Sequence, residues 1–405
     1  MKQTYKVHNK ETTVRVLNTE VSAVRKKDIV KKAVRVIEDG FIGISGGIGN
    51  VDENELAQKA KENLSIQIPY AYDLEPIRQE EVIIDDCTLT QENLMSTVEK
   101  IMTFFKEEYS EFDFSETAKL IESEVTFVDE RGTNLKYKDT HVDLGFLMKE
   151  KALANLFDGF VGYSGRNYDH DKFIESSRMV LDAYRNKLDM PEEEELPIII
   201  MDKSIFHGKL MMELQGEKYG SGSSLLTGKI GNRVFNEKIT VAQNFNPKTA
   251  HRPFFDMEGV VNENFKYDLV DKGVLKACYT DKKVAKEYNL ANTGSASGAY
   301  DDVPSLGATS ISLDVDSDDL LSTVKKGIII VIAAGGDYTP DGAYATPVQK
   351  AFLFENGKIQ GTLPEFQLKS HLFDMLGDDY IGTFNSPFYF GDHDKVTVAK
   401  MKIEK

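Results

Sequence analysis

The fold of this chain is restricted most by tight-turn sequences that separate short runs of alternating apolar and polar residues or of apolar residues alone. Asp39-Gly40 separates a strand-like run, residues 32–38, from the apolar run 41–44, and Asp-Gly is a strong hairpin signal. Asp271-Lys272-Gly273 and Glu355-Asn356-Gly357-Lys358 repeat that signal further along the chain. Hairpins join antiparallel neighbours, and helical patterns occur here without a strict βαβ rhythm. The sequence therefore predicts an α+β fold with mixed or antiparallel sheets and packed helices.

Apolar periodicity predicts the individual elements. A period of two, or a continuous apolar run, predicts strands over residues 12–17, 32–38, 122–129, 134–137, 140–149, 197–201 and 327–334. Helical spacing and capping residues predict helices over 53–64 (with Asp52 as N-cap), 91–109, 171–188 and 209–219.

The clearest change in composition is Pro191-Glu192-Glu193-Glu194-Glu195. A chain of 405 residues is long enough for two domains with real cores. We therefore expect an N-terminal α+β domain over 1–190 and a C-terminal α+β domain over 191–405.

Charge and composition exclude several classes of partner. The net charge of −17 repels a phosphate backbone, so direct nucleic-acid binding is not expected. The two cysteines, Cys87 and Cys278, form no CxxC pair, which argues against a disulfide framework or a thiolate zinc knuckle. The start of the chain has no apolar signal region, and no apolar run reaches about 18 residues. The expectation is a cytoplasmic protein with no membrane partner.

Candidate chemistry lies first on the predicted helix 209–219. Glu213 and Glu217 are four residues apart, which places two like charges on one face of a continuous helix. They are either part of a solvated face or a pair of oxygen ligands for a hard divalent ion. The seven histidines never occur at HxxxH or HxH spacing, so no local pattern indicates metal ligands among them, and a metal site assembled from distant parts of the chain stays open.

A second candidate is the acidic turn, Asp256-Met257-Glu258-Gly259. In one interpretation Gly259 takes a positive φ angle and Asp256 caps neighbouring backbone. In the other, Asp256 and Glu258 line a cleft beside helix 209–219 and bind the amine of a peptide.

Four motifs follow one another along the chain: the acidic turn after Phe255, the hairpin region 269–276, Asn292-Thr293-Gly294 and the segment PVQKAFLFENGK at 347–358. In this order they resemble the TldD/PmbA family, once called modulators of DNA gyrase. Val14-Arg15-Val16 and the turn at 39–43 resemble the opening strands of that family. The resemblance implies a proteolytic setting, in which TldD-like members carry a zinc-binding HExxxH helix and a C-terminal cysteine ligand.

This chain departs from that zinc motif. Met212 and Glu217 stand at the histidine positions, Glu213 keeps the position of the general base, and residues 380–405 contain no cysteine. A thioether and a carboxylate without a thiolate make a poor zinc site. The chain therefore resembles the PmbA-like members, and we expect no cofactor and no stoichiometric zinc.

Two functions remain open. One is a metal-free subunit that binds unfolded or leader peptides and assists proteolysis or peptide maturation, either as a homodimer or in a heteromer with a TldD-like metallopeptidase. The other is a self-sufficient hydrolase that uses Glu213 and Glu217, with Asp256 or Glu258, and a non-zinc metal. Whether the chain is an enzyme is left undecided. A role at DNA gyrase is suggested by the older family name alone, and the negative charge argues against it.

The resemblance also implies a dimer that encloses a peptide-sized cavity. An aromatic segment near the C-terminus, Phe384, Phe388, Tyr389 and Phe390, either anchors that interface or completes the core of the second domain.

Overall fold

The fold is α+β, as the sequence predicts. The structure is a computed structural model that describes residues 1–154, 157–201, 205–308, 310–317, 319–388, 391–392 and 394–405. The strands and helices of the first half are β1 Lys2–Leu17, β2 Glu20–Glu38, β3 Phe41–Ile48, α1 Glu53–Glu62, β4 Ile68–Pro69, β5 Gln79–Ile83, α2 Leu94–Glu108, β6 Phe112–Asp129, β7 Asn134–Glu150, β8 Gly159–Gly165 and α3 His170–Arg185.

The second half continues the numbering. Its elements are β9 Glu195–Met201, α4 Phe206–Glu213, α5 Gly216–Gly220, β10 Val241–Asn244, β11 Lys266–Asp271, β12 Val274–Leu275, α6 Lys282–Tyr288, β13 Ala296–Ser297, β14 Ser305–Leu306, β15 Ile311–Leu313, α7 Leu320–Thr323, β16 Lys326–Ala333, β17 Asp337–Tyr338, β18 Ala343–Glu355, β19 Lys358–Thr362, β20 Phe366–His371, α8 Leu372–Met375, β21 Tyr380–Asn385 and β22 Lys395–Glu404. Short 3-10 turns lie at Asn63–Ile66 and Glu263–Phe265.

The first eight strands form one sheet in the order β4-β3-β2-β1-β6-β7-β5, with β8 also paired to β7. The predicted hairpin at Asp39-Gly40 joins β2 to β3, and both residues have positive φ. The helix that the sequence predicts after Asp52 is α1, and the Asp52 carboxylate accepts a hydrogen bond from the Asn54 amide at 2.7 Å. The prediction of two strands over 134–137 and 140–149 is wrong, because both belong to the single strand β7.

A second large sheet follows the order β16-β9-β22-β20-β18-β17. β16 also pairs with the C-terminal part of β18, so the path of strands returns on itself. The predicted central strand is β16, in which residues 327–330 are buried one after another. The predicted hairpin at Asn356-Gly357 joins β18 to β19, and β17 forms an edge of the sheet.

Buried side chains from both halves of the chain share one core. The largest apolar cluster includes Val14, Phe105 and Phe146 of the first half together with Phe352 and Val398 of the second. A further cluster lies within the second half, around α4 and β16. Each large sheet belongs to one half of the chain, but the domain boundary at 190/191 stays a prediction.

The aromatic segment near the C-terminus contributes to the core. Phe384 is fully buried and Phe388 is 5% exposed, both in the cluster that the two halves share. Tyr389 and Phe390 lie outside the described residues, as does His393. Core packing therefore accounts for two of the four aromatic residues, and the interface stays a prediction.

The described helices are all too short or too polar to cross a lipid bilayer.

Candidate functional site

The helix predicted over 209–219 is interrupted, so that prediction is wrong. α4 ends at Glu213, and Gln215 has the extended angles φ −70° and ψ 125° before α5 begins. The interruption is caused by the segment around Tyr279, whose amide donates to the Leu214 carbonyl and whose carbonyl accepts from the Gly216 amide, both at 2.9 Å. Because these groups pair with Tyr279, they leave the helical hydrogen-bond ladder.

Gly216 makes this close approach feasible. A Cβ atom at position 216 would lie 2.5 Å from Thr280 Cγ2 and 2.9 Å from the Tyr279 carbonyl oxygen. Only glycine lets the two backbone segments come so close. A glycine inside a helical pattern is the sequence signal that marks this break.

Glu213 is held by its own chain. It is 2% exposed, its Oε1 lies 2.8 Å from Lys209 Nζ, and its Oε2 accepts a hydrogen bond from the Leu225 amide at 2.6 Å. The Ser224 hydroxyl donates to the Glu213 carbonyl at 2.6 Å. Oε2 and the Glu213 carbonyl therefore fix the end of α4 to the segment that follows α5, while Oε1 pairs with Lys209 of α4 itself.

The residues present do not fit the zinc that the family resemblance implies. Glu217 is exposed and lies on α5, beyond the break, so it does not share a helix face with Glu213. Met212 is 46% exposed and offers a thioether, which is a weak ligand for zinc. The geometry that would pair the two carboxylates around an ion is absent from the described structure, and the catalytic roles of Glu213 and Glu217 stay predictions.

Met212 lines a cavity of ≈ 580 Å³, which we call the Met212 cavity. Lys209 of α4, edge strand β17 with the turn before it, and Tyr344 of β18 form its other walls. Tyr338 stacks on Tyr344 at 4.5 Å between ring centroids. The Tyr338 hydroxyl is buried and has no hydrogen-bond partner among the described residues.

The acidic turn is buried. Asp256 is 2% exposed, and its carboxylate accepts hydrogen bonds from the amides of Glu258, Val260 and Ala296 at 2.8 to 2.9 Å. Burial raises the pKa of Asp256 to about 6, although the three N–H donors act in the opposite direction. Gly259 has φ +77°, and a Cβ atom there would lie 2.7 Å from Phe127. These contacts agree with the first interpretation, in which Gly259 takes a positive φ angle and Asp256 caps neighbouring backbone.

Glu258 connects the acidic turn to the first half of the chain. Its carboxyl accepts hydrogen bonds from the Tyr70 hydroxyl at 2.9 Å and from the Lys282 amide at 3.0 Å. Burial, with the nearby charge of Asp256, raises the pKa of Glu258 to about 8. Arg35 of β2, fully buried, donates to the Met257 carbonyl at 2.5 Å. Asp256, Glu258 and Gly259 therefore lie at a joint between the two halves, and their proposed role in substrate binding stays a prediction.

A group of chemically capable side chains that the sequence did not reveal lies elsewhere, at Asp139, His141 and His251, which we call the Asp139 cluster. Asp139 Oδ2 lies 3.1 Å from His141 Nδ1 and 3.6 Å from His251 Nδ1. Asp139 Oδ1 accepts a hydrogen bond from Arg166 Nε at 2.6 Å. The hydrogen bonds from His141 and Arg166, with His251 close by, hold the pKa of Asp139 well below its usual range, despite its burial.

The prediction of two separate strands concealed this cluster, because it left Asp139 in the gap between them. In the continuous strand β7, Asp139 and His141 are two residues apart and share a face. No local pattern could indicate His251, which lies 110 residues further on.

A second cavity, of ≈ 830 Å³, lies on the other side of the first turns of α4 and is called here the His251 cavity. His207, Gly208 and Met211 form one wall, and His251 with Arg252 forms another. Gly208 lines both cavities. Burial lowers the pKa of Arg252 to about 10.

Several known proteins with similar sequences are named metalloproteases. A family model described as the PmbA/TldA metallopeptidase C-terminal domain matches residues 199–402. A metalloprotease from Archaeoglobus fulgidus is 24% identical over 409 aligned residues, which cover 93% of this chain and 90% of the relative. A metalloprotease TldD homolog from Buchnera aphidicola is 29% identical over 170 residues, which cover 40% of this chain and 34% of the relative.

Solved structures share the fold over the whole chain. TldE from Thermococcus kodakarensis has a TM-score of 0.80 and 17% identity, with 100% of this chain and 96% of that one covered. A putative modulator of a DNA gyrase from Thermotoga maritima has a TM-score of 0.76 and 16% identity, with coverage of 99% and 95%. The family model spans just over half of the 405 residues, and the chain therefore belongs to the TldD/PmbA family of metallopeptidase-related proteins.

Proposed function

We propose that this chain is a non-catalytic member of its family, which binds extended peptides and assists proteolysis by a metal-bearing partner subunit. The observation that carries the proposal is the state of Glu213, whose two oxygens bind Lys209 and the Leu225 amide. A general base needs a free oxygen within reach of the water that it activates. Without zinc beside it, the buried Glu213 has no acidified water to deprotonate.

The Met212 cavity is the proposed peptide site. It lies where the family resemblance places the reacting centre, and one wall is the edge strand β17. An extended peptide adds to such an edge through backbone hydrogen bonds, which tolerate many sequences. The Tyr338 hydroxyl, with no partner among the described residues, supplies an additional donor or acceptor for the peptide.

A pair of methionine substitutions tests this site. Met212→Trp fills the cavity, whereas Met95→Trp changes a methionine of similar exposure on α2, 42% against 46%. We expect Met212→Trp to weaken binding of an unfolded, fluorescently labelled peptide by about 10-fold or more, which corresponds to about 1.4 kcal/mol. Met95→Trp should leave peptide affinity unchanged. Equal affinities for the two variants would remove the Met212 cavity as the binding site.

The alternative of a self-sufficient hydrolase makes a different prediction. It requires peptide cleavage by the isolated chain, with loss of that cleavage in Glu213→Gln and Glu217→Gln. The burial of Glu213 and the separation of Glu217 onto α5 favour the non-catalytic function.

A further inference from the structure

The Asp139 cluster has the composition of a transition-metal site. Two imidazole nitrogens and one carboxylate oxygen are ligands that zinc accepts, and a set of three protein ligands leaves a fourth position open. One ligand atom from each of the three residues lies within 4.8 Å of the other two. No part of the proposed function uses these residues.

The distances suit a four-coordinate ion. With bonds of about 2.0–2.1 Å, neighbouring ligand atoms of a tetrahedral zinc site lie roughly 3.3 Å apart. Asp139 Oδ2 lies 3.1 Å from His141 Nδ1 and 3.6 Å from His251 Nδ1, on either side of that value. The two imidazoles lie side by side, stacked with their centroids 4.7 Å apart.

Arg166 binds one oxygen of the Asp139 carboxylate and leaves the other for the histidines. Its Nε donates to Oδ1 of Asp139 at 2.6 Å, and its two terminal nitrogens donate to the carbonyls of Pro247 and Lys248. These contacts orient the carboxylate and hold the segment that carries His251, while Oδ2 stays directed at the histidines. Partners of this kind orient metal ligands in known sites. The guanidinium charge also opposes a cation, which moderates the affinity.

His251 Nδ1 is buried and makes no hydrogen bond of normal geometry among the described residues. His251 also lines the His251 cavity, from which a fourth ligand, water or a carbonyl oxygen, can reach the ion. The cluster joins β7 of the first half to the segment after β10 in the second half.

We propose that Asp139, His141 and His251 bind one zinc-like divalent transition-metal ion that links the two halves of the chain. This proposal differs from the sequence-based expectation of a zinc-free chain, which rested on Met212, Glu217 and the cysteine-free segment 380–405. The site is separate from those positions, so its failure would leave the proposed function intact.

Zinc binding to the purified full-length chain, measured by equilibrium dialysis and metal analysis, tests the proposal. We expect saturable binding of one ion per chain, weakened at least about 10-fold in His141→Gln and in His251→Ala. The matched control is His8→Ala, because His8 also contacts an aspartate, Asp28, at 2.6 Å but belongs to no group of three possible ligands among the described residues. Wild-type affinity in the His141 and His251 variants, or no saturable zinc binding by the wild type, would overturn the proposal.

A second measurement needs no variant and therefore does not depend on how the variants fold. Addition of Co²⁺ to the wild-type chain should shift the imidazole NMR signals of His141 and His251 and leave those of His8 in place. Signals of His141 and His251 that do not respond to Co²⁺ would contradict the proposal.

Discussion

Glu213 occupies the position that the family resemblance gives to a general base, and both of its oxygens bind groups of its own chain. Lys209, its ion-pair partner, is only 10% exposed. The buried carboxylate therefore compensates a buried ammonium and ties α4 to residue 225. Removal of one partner from such a pair leaves the other charge buried without compensation.

Glu213→Gln should lower the free energy of unfolding by roughly 3–5 kcal/mol, measured by chemical denaturation. The matched control is Glu237→Gln, because Glu237 forms an exposed i,i+4 pair with Arg233 and such pairs contribute at most about 1 kcal/mol. A loss for Glu213→Gln no larger than for the control would show that Glu213 is not a structural carboxylate.

Glu258 should make stability depend on pH. Its pKa rises from an ordinary value of 4.5 to about 8 because it is buried beside Asp256. Between these values the native state holds a proton that the unfolded state has lost, so the free energy of unfolding falls as pH rises. The favourable contribution is complete below about pH 4.5 and is lost as pH rises through 8.

Glu258→Gln should remove this dependence, because glutamine does not titrate. The free energy of unfolding is measured by thermal or chemical unfolding at several pH values between 5 and 8.5. As pH rises, it should fall further in the wild type than in the variant, by a few kcal/mol at most. Glu365→Gln, at an exposed position, should keep the wild-type profile. Parallel profiles for the wild type and Glu258→Gln would contradict a proton on Glu258.

At the scale of elements, the decisive feature is the break between α4 and α5. The backbone of Tyr279 pairs with Leu214 and Gly216, so a tertiary contact overrides local helix propensity. The break separates the two carboxylates that a continuous helix would have placed on one face.

Gly216→Ala should destabilise the protein by about 1–3 kcal/mol, because its Cβ would clash with Thr280 and with the Tyr279 carbonyl. Gly208→Ala is the control, since Gly208 lies in α4 and nothing would lie within 4 Å of its Cβ. That control should be neutral or stabilising by up to about 1 kcal/mol. Stabilisation by Gly216→Ala in denaturant unfolding would mean that the helix is continuous in solution.

Local signals in the sequence were enough for the elements that depend on local chemistry. The Asp39-Gly40 hairpin, the Asp52 cap of α1 and the apolar run of β16 are confirmed at their predicted places. The helix break and the Asp139 cluster depend on contacts between residues 63 to 112 positions apart, at Gly216 with Tyr279 and at Asp139 with His251. No periodicity within a window of a few residues carries that information.

At the scale of the whole molecule, the two halves are joined by the shared apolar core and by the polar contacts of the acidic turn. Arg35 and Tyr70 of the first half reach Met257 and Glu258 of the second across 222 and 188 residues of sequence. This connection accounts for burial of the acidic turn without any role in catalysis. The Met212 cavity is lined by α4, β17 and β18 and by no residue of the acidic turn.

The family resemblance predicts a dimer around a peptide-sized cavity. Light scattering of the purified chain should give a mass about twice the 45.5 kDa of one chain. A mass near that of one chain, constant over a range of concentrations, would exclude a stable homodimer. Assembly would then require a metal-bearing homologue, and mixing experiments would test it.

Cleavage of an unfolded leader-type peptide is the measurement that tests the central claim most directly. The purified chain, a TldD-like metallopeptidase and their mixture are assayed side by side, each with and without a chelator. We expect no cleavage by the chain alone. The mixture should cleave the peptide faster than the metallopeptidase alone, and the chelator should abolish that cleavage. Glu217→Gln in this chain should leave cleavage by the mixture unchanged. Cleavage by the chain alone that disappears in Glu213→Gln and Glu217→Gln would contradict the account and establish a self-sufficient hydrolase.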